Sequence, residues 1–195
     1  MIQHEFITLT LAQFSQILKI PYNGPAVFTN EWDLASLEYS RETEGPYCTV
    51  LPTPDDIRRL LELERVVVDR TIKSQTVTLN PNQILTKELS PDMKQWEELI
   101  RENVFGLGGH RDRLLACLAH MLYCVVAEEQ YNIAYFFVKR IECARATPTA
   151  NLPYDISITH LYRHVMETYP HLDNGIYDVV ERVMCPLALK QTRRP

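Results

Sequence analysis

The spacing of apolar residues predicts helices along much of the chain, beginning with a short one near the N-terminus. Thr10 and Gln13 have the spacing of a capping box, in which two side chains bind each other's backbone N–H groups at a helix start. The apolar residues from Leu11 to Leu18 then form one stripe at helical spacing. A second short helix is predicted to begin at Thr53, which precedes a proline and two acidic residues.

The remainder of the N-terminal part is irregular, with large apolar side chains scattered among prolines, glycines and polar residues. We therefore expect a loop-rich layer packed onto a core. Two β-branched runs, at residues 66–68 and 76–79, are separated by the polar residues 73–75. This arrangement is typical of a short β-hairpin, although hydrophobic runs of this length leave open that no hairpin forms.

From Ser90 onward the pattern is helical. Ser90 precedes a proline and an acid, as Thr53 does, and this combination marks a helix start. The apolar residues that follow at helical spacing are Met93, Trp96, Ile100 and Val104. Further helices are predicted at residues 111–128, 132–145, 157–168 and 176–184. The helix at 111–128 is apolar nearly all round, which is typical of a central, buried helix.

These patterns predict a mainly α fold, a helical bundle with a small irregular N-terminal layer and, as an open alternative, one short β-hairpin. We expect a single domain over residues 1–189. Its residues 1–89 supply the loop-rich part with two short helices, and residues 90–189 supply the helical core. Residues 190–195 are a short basic tail, which we expect to be truncated.

The composition favours a globular protein in a reducing compartment. The chain has 20 basic and 25 acidic side chains, a net charge of -5, which disfavours general attraction to nucleic acid. The 5 cysteines are widely spaced and form no CxxC motif, as expected for free thiols. The longest apolar run, residues 114–127, is shorter than the ~20 residues that span a bilayer. We expect an intracellular protein without a membrane segment, in either the nucleus or the cytoplasm.

Several longer segments resemble a known family. They are GPYCTVLPTPDDI (45–57), NQILTKEL (82–89), ELIRENVFGLGGHRDR (98–113), ACLAHMLYC (116–124), YNIAYFFVKRIE (131–142), LPYDISITHLY (152–162) and RVMCPL (182–187). In this order they resemble the plant transposon protein domain, which retroelement-like sequences of flowering plants carry. The resemblance covers roughly residues 9 to 190. It implies a transposable-element origin but no established activity and no catalytic or binding residues.

One helix carries a possible set of metal ligands. Cys117, His120 and Cys124 project along one stripe, and thiolate and imidazole are the ligands that zinc prefers. However, Cys117 and Cys124 are about 10 Å apart along a helix axis, whereas a Zn–S bond is only about 2.3 Å long. Buried cysteines that act as small apolar groups explain the same stripe. We therefore predict no metal, no cofactor and no catalytic residue.

The basic residues suggest a second candidate site. A nucleic-acid surface would form if neighbouring helices brought together Arg111, Arg113, Lys139, Arg140 and Arg145. Our leading hypothesis is nevertheless a non-enzymatic structural or interaction domain of a transposable-element protein, for gag-like assembly or partner docking. We expect a protein partner or self-association. The alternatives are a nucleic-acid-binding domain that acts beside the element's enzymes and, third, a hydrolase or strand-transfer enzyme.

Overall fold

Helices make up most of the part of the chain that the computed structural model describes, namely residues 6–39, 50–63, 70–72, 75–77, 80, 82–105, 112–147 and 155–172. Within those residues the helices are α1 (Leu11–Leu18), α2 (Pro54–Leu60), α3 (Pro91–Ile100), α4 (Ala116–Val126), α5 (Ile133–Ala146) and α6 (Asp155–Thr168). The strands are β1 (Val27–Phe28), β2 (Glu38–Tyr39), β3 (Arg70–Ile72) and β4 (Gln75–Val77). The mainly α fold predicted from the sequence is thus confirmed.

The predicted capping residues begin the helices as expected. At α1, Gln13 N donates to Thr10 Oγ1 at 3.2 Å and Thr10 N donates to Gln13 Oε1 at 2.9 Å, so both halves of the capping box form. Thr53 and Asp56 form the same box at α2. Ser90 accepts a hydrogen bond from the backbone of Met93 at the start of α3. These signals are local and therefore readable from the sequence, because each partner lies within one turn.

The strands form two short antiparallel pairs. β3 pairs with β4, with Thr71 opposite Thr76. β4 includes part of the predicted second strand, whereas the predicted first strand, residues 66–68, lies outside the described residues. The pairing of β1 with β2, which joins Val27 to Tyr39, was not predicted, because strands of two residues leave no readable alternation of polar and apolar positions.

The chain forms two compact units. The first contains α1, α5 and α6, and the second contains α2, α3, α4 and both strand pairs. Leu89 and Ser90, on either side of the predicted division at residue 90, both belong to the second unit. A single domain over residues 1–189 stays a prediction. The helix expected at 176–184 lies outside the described residues.

In the first unit, α1 packs against both α5 and α6. Phe14 of α1, Phe136 of α5 and Val165 of α6 are buried. The chain entering α5 is fixed by the backbone of the N-terminal part, since Ala134 N donates to Pro21 O at 3.0 Å. No local sequence pattern predicts this hydrogen bond, because its two residues are far apart in the sequence.

In the second unit, α4 packs against α2, α3 and a 3₁₀ turn at Leu34–Ser36. Its side chains from Ala116 to Leu122 are all buried, which agrees with the central, buried helix expected from its apolar sequence. The helix begins at Ala116 and not near residue 111, because the residues before it adopt an extended conformation: Leu114 N donates to Ile84 O at 3.0 Å.

α3 differs from its predicted pattern. Trp96 was expected in the apolar stripe with Met93 and Ile100, but its side chain is 44% exposed, whereas Glu97 is only 6% exposed. Glu97 is buried because it forms an ion pair with Arg101, one turn later on the same side of the helix. Beyond α3 the chain continues as a π-helical turn over Arg101–Phe105, which changes the angular spacing of the side chains.

Candidate functional site

Cys117 is bound to the backbone of Thr29 in the second unit. Thr29 N donates to Cys117 Sγ at 3.0 Å, and the thiol donates to Thr29 O at 3.3 Å. The side chain of Cys117 is fully buried. This pair of contacts joins the start of α4 to the residue after β1, so the thiol has a structural role that its local sequence does not reveal.

His120, one turn further along α4, is also fully buried. Its Nδ1 atom lies 3.9 Å from Cys124 Sγ, while its Nε2 atom has no hydrogen-bond partner among the described residues. The imidazole ring lies 5.6 Å from the ring of Tyr131 and 6.0 Å from that of Tyr123. Burial lowers the pKa of His120 from 6.5 to about 4, so the ring is neutral near pH 7.

The three candidate metal ligands do not converge on one point. Cys117 is bound to Thr29, whereas His120 and Cys124 are adjacent to each other. Among the described residues, no group of three or more His, Cys, Asp or Glu side chains is arranged to hold a metal ion. A protein without bound metal therefore stays our prediction, and we test it below.

Arg113 lies in the extended segment before α4. Its guanidinium carbon is 5.1 Å from the centre of the Trp32 ring, and Nη1 donates to Gln83 Oε1 at 3.4 Å. Its backbone forms a β-bridge with Leu85. Because a guanidinium that stacks on indole and donates to an amide has fewer N–H groups for phosphate, this geometry favours a structural role for Arg113.

Two further arginines bind the segments that contain Gln83 and Arg113. Neither was predicted as a site residue from the sequence. Arg58 of α2 donates from Nη2 to Gln83 O at 2.6 Å and lies 3.5 Å from Glu88 Oε2. Arg101 donates from Nη2 to the carbonyl of Arg113 at 3.1 Å and pairs with Glu97. We call Arg58, Arg101 and Arg113 the arginine network.

The sequence contained only one readable sign of the arginine network. Glu97 and Arg101 are four residues apart, the spacing at which opposite charges meet on a helix. The other acceptors are the side chains of Glu88 and Gln83 and two backbone carbonyls, all distant in the sequence from the arginines that they bind. A carbonyl is present at every residue, so it identifies no partner.

The other candidate basic residues are on α5 in the first unit. Lys139 Nζ is 3.0 Å from Glu142 Oε2 and 5.6 Å from the centre of the Tyr135 ring. Arg140 is half-buried and Arg145 is exposed. Arg113 belongs to the second unit, and Arg111 lies outside the described residues. Of the predicted set, then, Lys139, Arg140 and Arg145 share one helix, and the first of them already has a carboxylate partner.

Comparisons with protein-family models, with curated proteins and with solved structures give no match for this chain. The resemblance to the plant transposon protein domain therefore stays an interpretation of the sequence segments themselves. A search of the described helices for one with the length and apolar character needed to cross a bilayer finds none.

Proposed function

We propose that this chain is a non-enzymatic structural or interaction domain of a plant transposable-element protein and that it associates with further copies of itself, as in gag-like assembly. The observation that carries the proposal is that side chains considered as metal ligands or phosphate contacts bind other groups of the same chain. Cys117 binds the Thr29 backbone, Arg113 stacks on Trp32, and Lys139 pairs with Glu142. These contacts engage the side chains that the sequence offered as metal ligands or phosphate contacts, which supports a structural or interaction domain over a catalytic one.

α3 supplies the surface that we propose for self-association. Trp96 exposes 44% of its surface there, although tryptophan is usually well buried. The next residue, Glu97, is anchored by its buried ion pair with Arg101, so the indole is presented from a fixed helix. Rigidly held tryptophans are the side chains that most often dominate the energy of protein interfaces.

Size-exclusion chromatography with light scattering over a range of concentrations tests this proposal. We expect the wild-type mass to rise above 22.7 kDa with increasing concentration. Trp96→Glu should keep the chain monomeric at concentrations where the wild type associates. The matched control is Gln95→Glu, which adds the same charge at the neighbouring exposed position and should leave association unchanged.

Two results would contradict the proposal. One is a mass that stays at the monomer value at every concentration, and the other is equal association of the wild type and Trp96→Glu. Nucleic-acid binding is the alternative function, and the exposed Arg145 on α5 is the observation in its favour. The ion pair of Lys139 with Glu142 and the stacked position of Arg113 favour the interaction domain instead.

A further inference from the structure

The buried imidazole of His120 has too few hydrogen-bond acceptors to carry a proton. A neutral imidazole has one N–H group, whereas an imidazolium has two, and each needs an acceptor when it is buried. Among the described residues, the Sγ atom of Cys124, a weak acceptor, lies 3.9 Å from Nδ1, and no acceptor contacts Nε2. The charged form of His120 would therefore be both desolvated and incompletely hydrogen-bonded.

Within the part of the chain that the structure describes, no neighbouring charge compensates for this deficit. Among the described residues, the ionisable groups in contact with His120 are Cys124, Tyr123 and Tyr131. The phenol of Tyr131 donates to Val27 O at 3.0 Å, and burial together with Glu129 and Asp56 raises the pKa of Tyr123, so neither supplies a negative charge. The charged residues of the elements packed against α4 are Asp55, Asp56, Arg58 and Arg59 on α2, Asp92, Lys94, Glu97 and Glu98 on α3, Asp33 before the 3₁₀ turn and Arg101 after α3. Burial alone lowers the pKa of His120, without a contribution from any of them.

We propose that His120 is an acid-sensitive element of the second unit: uptake of a proton by its imidazole disrupts the packing of α4 against Tyr131 and opens that unit. Tyr131 transmits the disruption from α4 to β1, because its ring contacts His120 and its hydroxyl donates to the backbone of β1. Water that enters to solvate the imidazolium must separate these groups, since His120 has no exposed surface.

The pH range follows from the direction of the pKa shift. The pKa of His120 in the folded chain, about 4, lies below its ordinary value of 6.5, so the unfolded chain takes up the proton first as the pH falls. The contribution of neutral His120 to the free energy of unfolding is therefore fully present above about pH 6.5 and is lost as the pH falls towards about 4. Over this range the unfolding constant should rise about tenfold per pH unit, roughly 300-fold in total.

Urea unfolding at several pH values between about 7 and 4.5 tests the proposal. The chain has 2 tryptophans, Trp32 and Trp96, and both lie in the second unit, so their fluorescence reports on that unit. We expect the wild-type unfolding constant to rise steeply with acid. In His120→Met and His120→Gln, the slope of the logarithm of the unfolding constant against pH should be smaller by about one, because neither side chain takes up a proton. The control is His164→Gln on α6 in the first unit, which should keep the wild-type slope.

A direct measurement avoids dependence on the folding of these variants. Nuclear magnetic resonance of the imidazole groups in the folded wild-type chain should show that His120 stays neutral to a pH well below 6. Titration of His120 in the folded chain near its ordinary value would overturn the proposal, and so would an unchanged slope in both His120→Met and His120→Gln.

Discussion

The guanidinium of Arg113 lies over the ring of Trp32, with 5.1 Å between the guanidinium carbon and the ring centre. This contact joins the segment before α4 to the loop that follows β1. Arg113 also donates to Gln83 Oε1, so one side chain holds three separate parts of the second unit. A planar guanidinium suits this position because it can stack and donate at the same time, which an ammonium group cannot.

Arg113→Ala should therefore destabilise the second unit. We expect the free energy of unfolding to fall by about 1–3 kcal/mol, because a part-buried cation–π contact and a hydrogen bond are lost together. Arg113→Lys should recover only part of this loss. Urea unfolding followed by tryptophan fluorescence measures the effect. Arg145→Ala, at an exposed position on α5, is the control and should change stability by less than about 0.5 kcal/mol. Equal stability of Arg113→Ala and the wild type would rule out this structural role.

Gly24 has a backbone conformation that only glycine adopts without strain. Its φ is 91°, and an added Cβ atom would lie 2.0 Å from the backbone oxygen of Gln130. We expect Gly24→Ala to destabilise the chain by roughly 2–4 kcal/mol, since strain and a backbone clash add. Thermal unfolding measures this change, with Asn23→Ala at the adjacent exposed position as the control. A melting temperature of Gly24→Ala equal to that of the control would show that the backbone is not constrained here.

Cys117 should act through its contact with Thr29 and not through a metal. Purified protein should contain less than one zinc per chain, and a chelator should leave its melting temperature unchanged. Cys117→Ala should cost about 1–3 kcal/mol, because the part-buried N–H of Thr29 then loses its acceptor. Elemental analysis and thermal unfolding measure the two effects. One zinc per chain whose removal unfolds the protein would establish a metal site instead.

The sequence predicted those features whose determinants are close together along the chain. Thr10, Thr53 and Ser90 were identified as helix caps because each binds a group three residues away. The exposure of Trp96 was not predicted, because helical spacing alone does not show that Glu97 is buried by a partner one turn later. Hydrophobic periodicity treats a charged residue as external and so assigns the wrong face to this part of α3.

The candidate sites were only partly predictable for the same reason. The sequence showed that Cys117, His120 and Cys124 lie along one stripe of a helix, but their roles depend on groups from elsewhere. Cys117 is defined by the backbone of Thr29, and His120 by the rings around it. A backbone N–H is present at almost every residue, so no pattern of residue types marks the one that a thiol will bind.

We predict no measurable binding of this chain to duplex DNA or single-stranded RNA near physiological salt. The net charge of -5 opposes attraction to phosphates, and Lys139 of the basic helix α5 already pairs with Glu142. Arg140 and Arg145 alone provide few phosphate contacts. Each phosphate neutralised on duplex DNA should lower log K by about 0.9 per log unit of salt, so two contacts give a shallow slope and weak binding.

Fluorescence-anisotropy titrations at low and moderate salt measure this property. Glu142→Gln is an informative variant, because it releases Lys139 from its ion pair and raises the net charge of α5. We expect even this variant to bind only at low salt. Micromolar binding by the wild type, with a salt slope that corresponds to several phosphates, would contradict the prediction. If Arg140→Glu combined with Arg145→Glu abolished that binding while His164→Gln retained it, α5 would be the contact surface. The nucleic-acid function would then replace the interaction domain, because the basic side chains of α5 would be binding phosphate instead of serving only the fold.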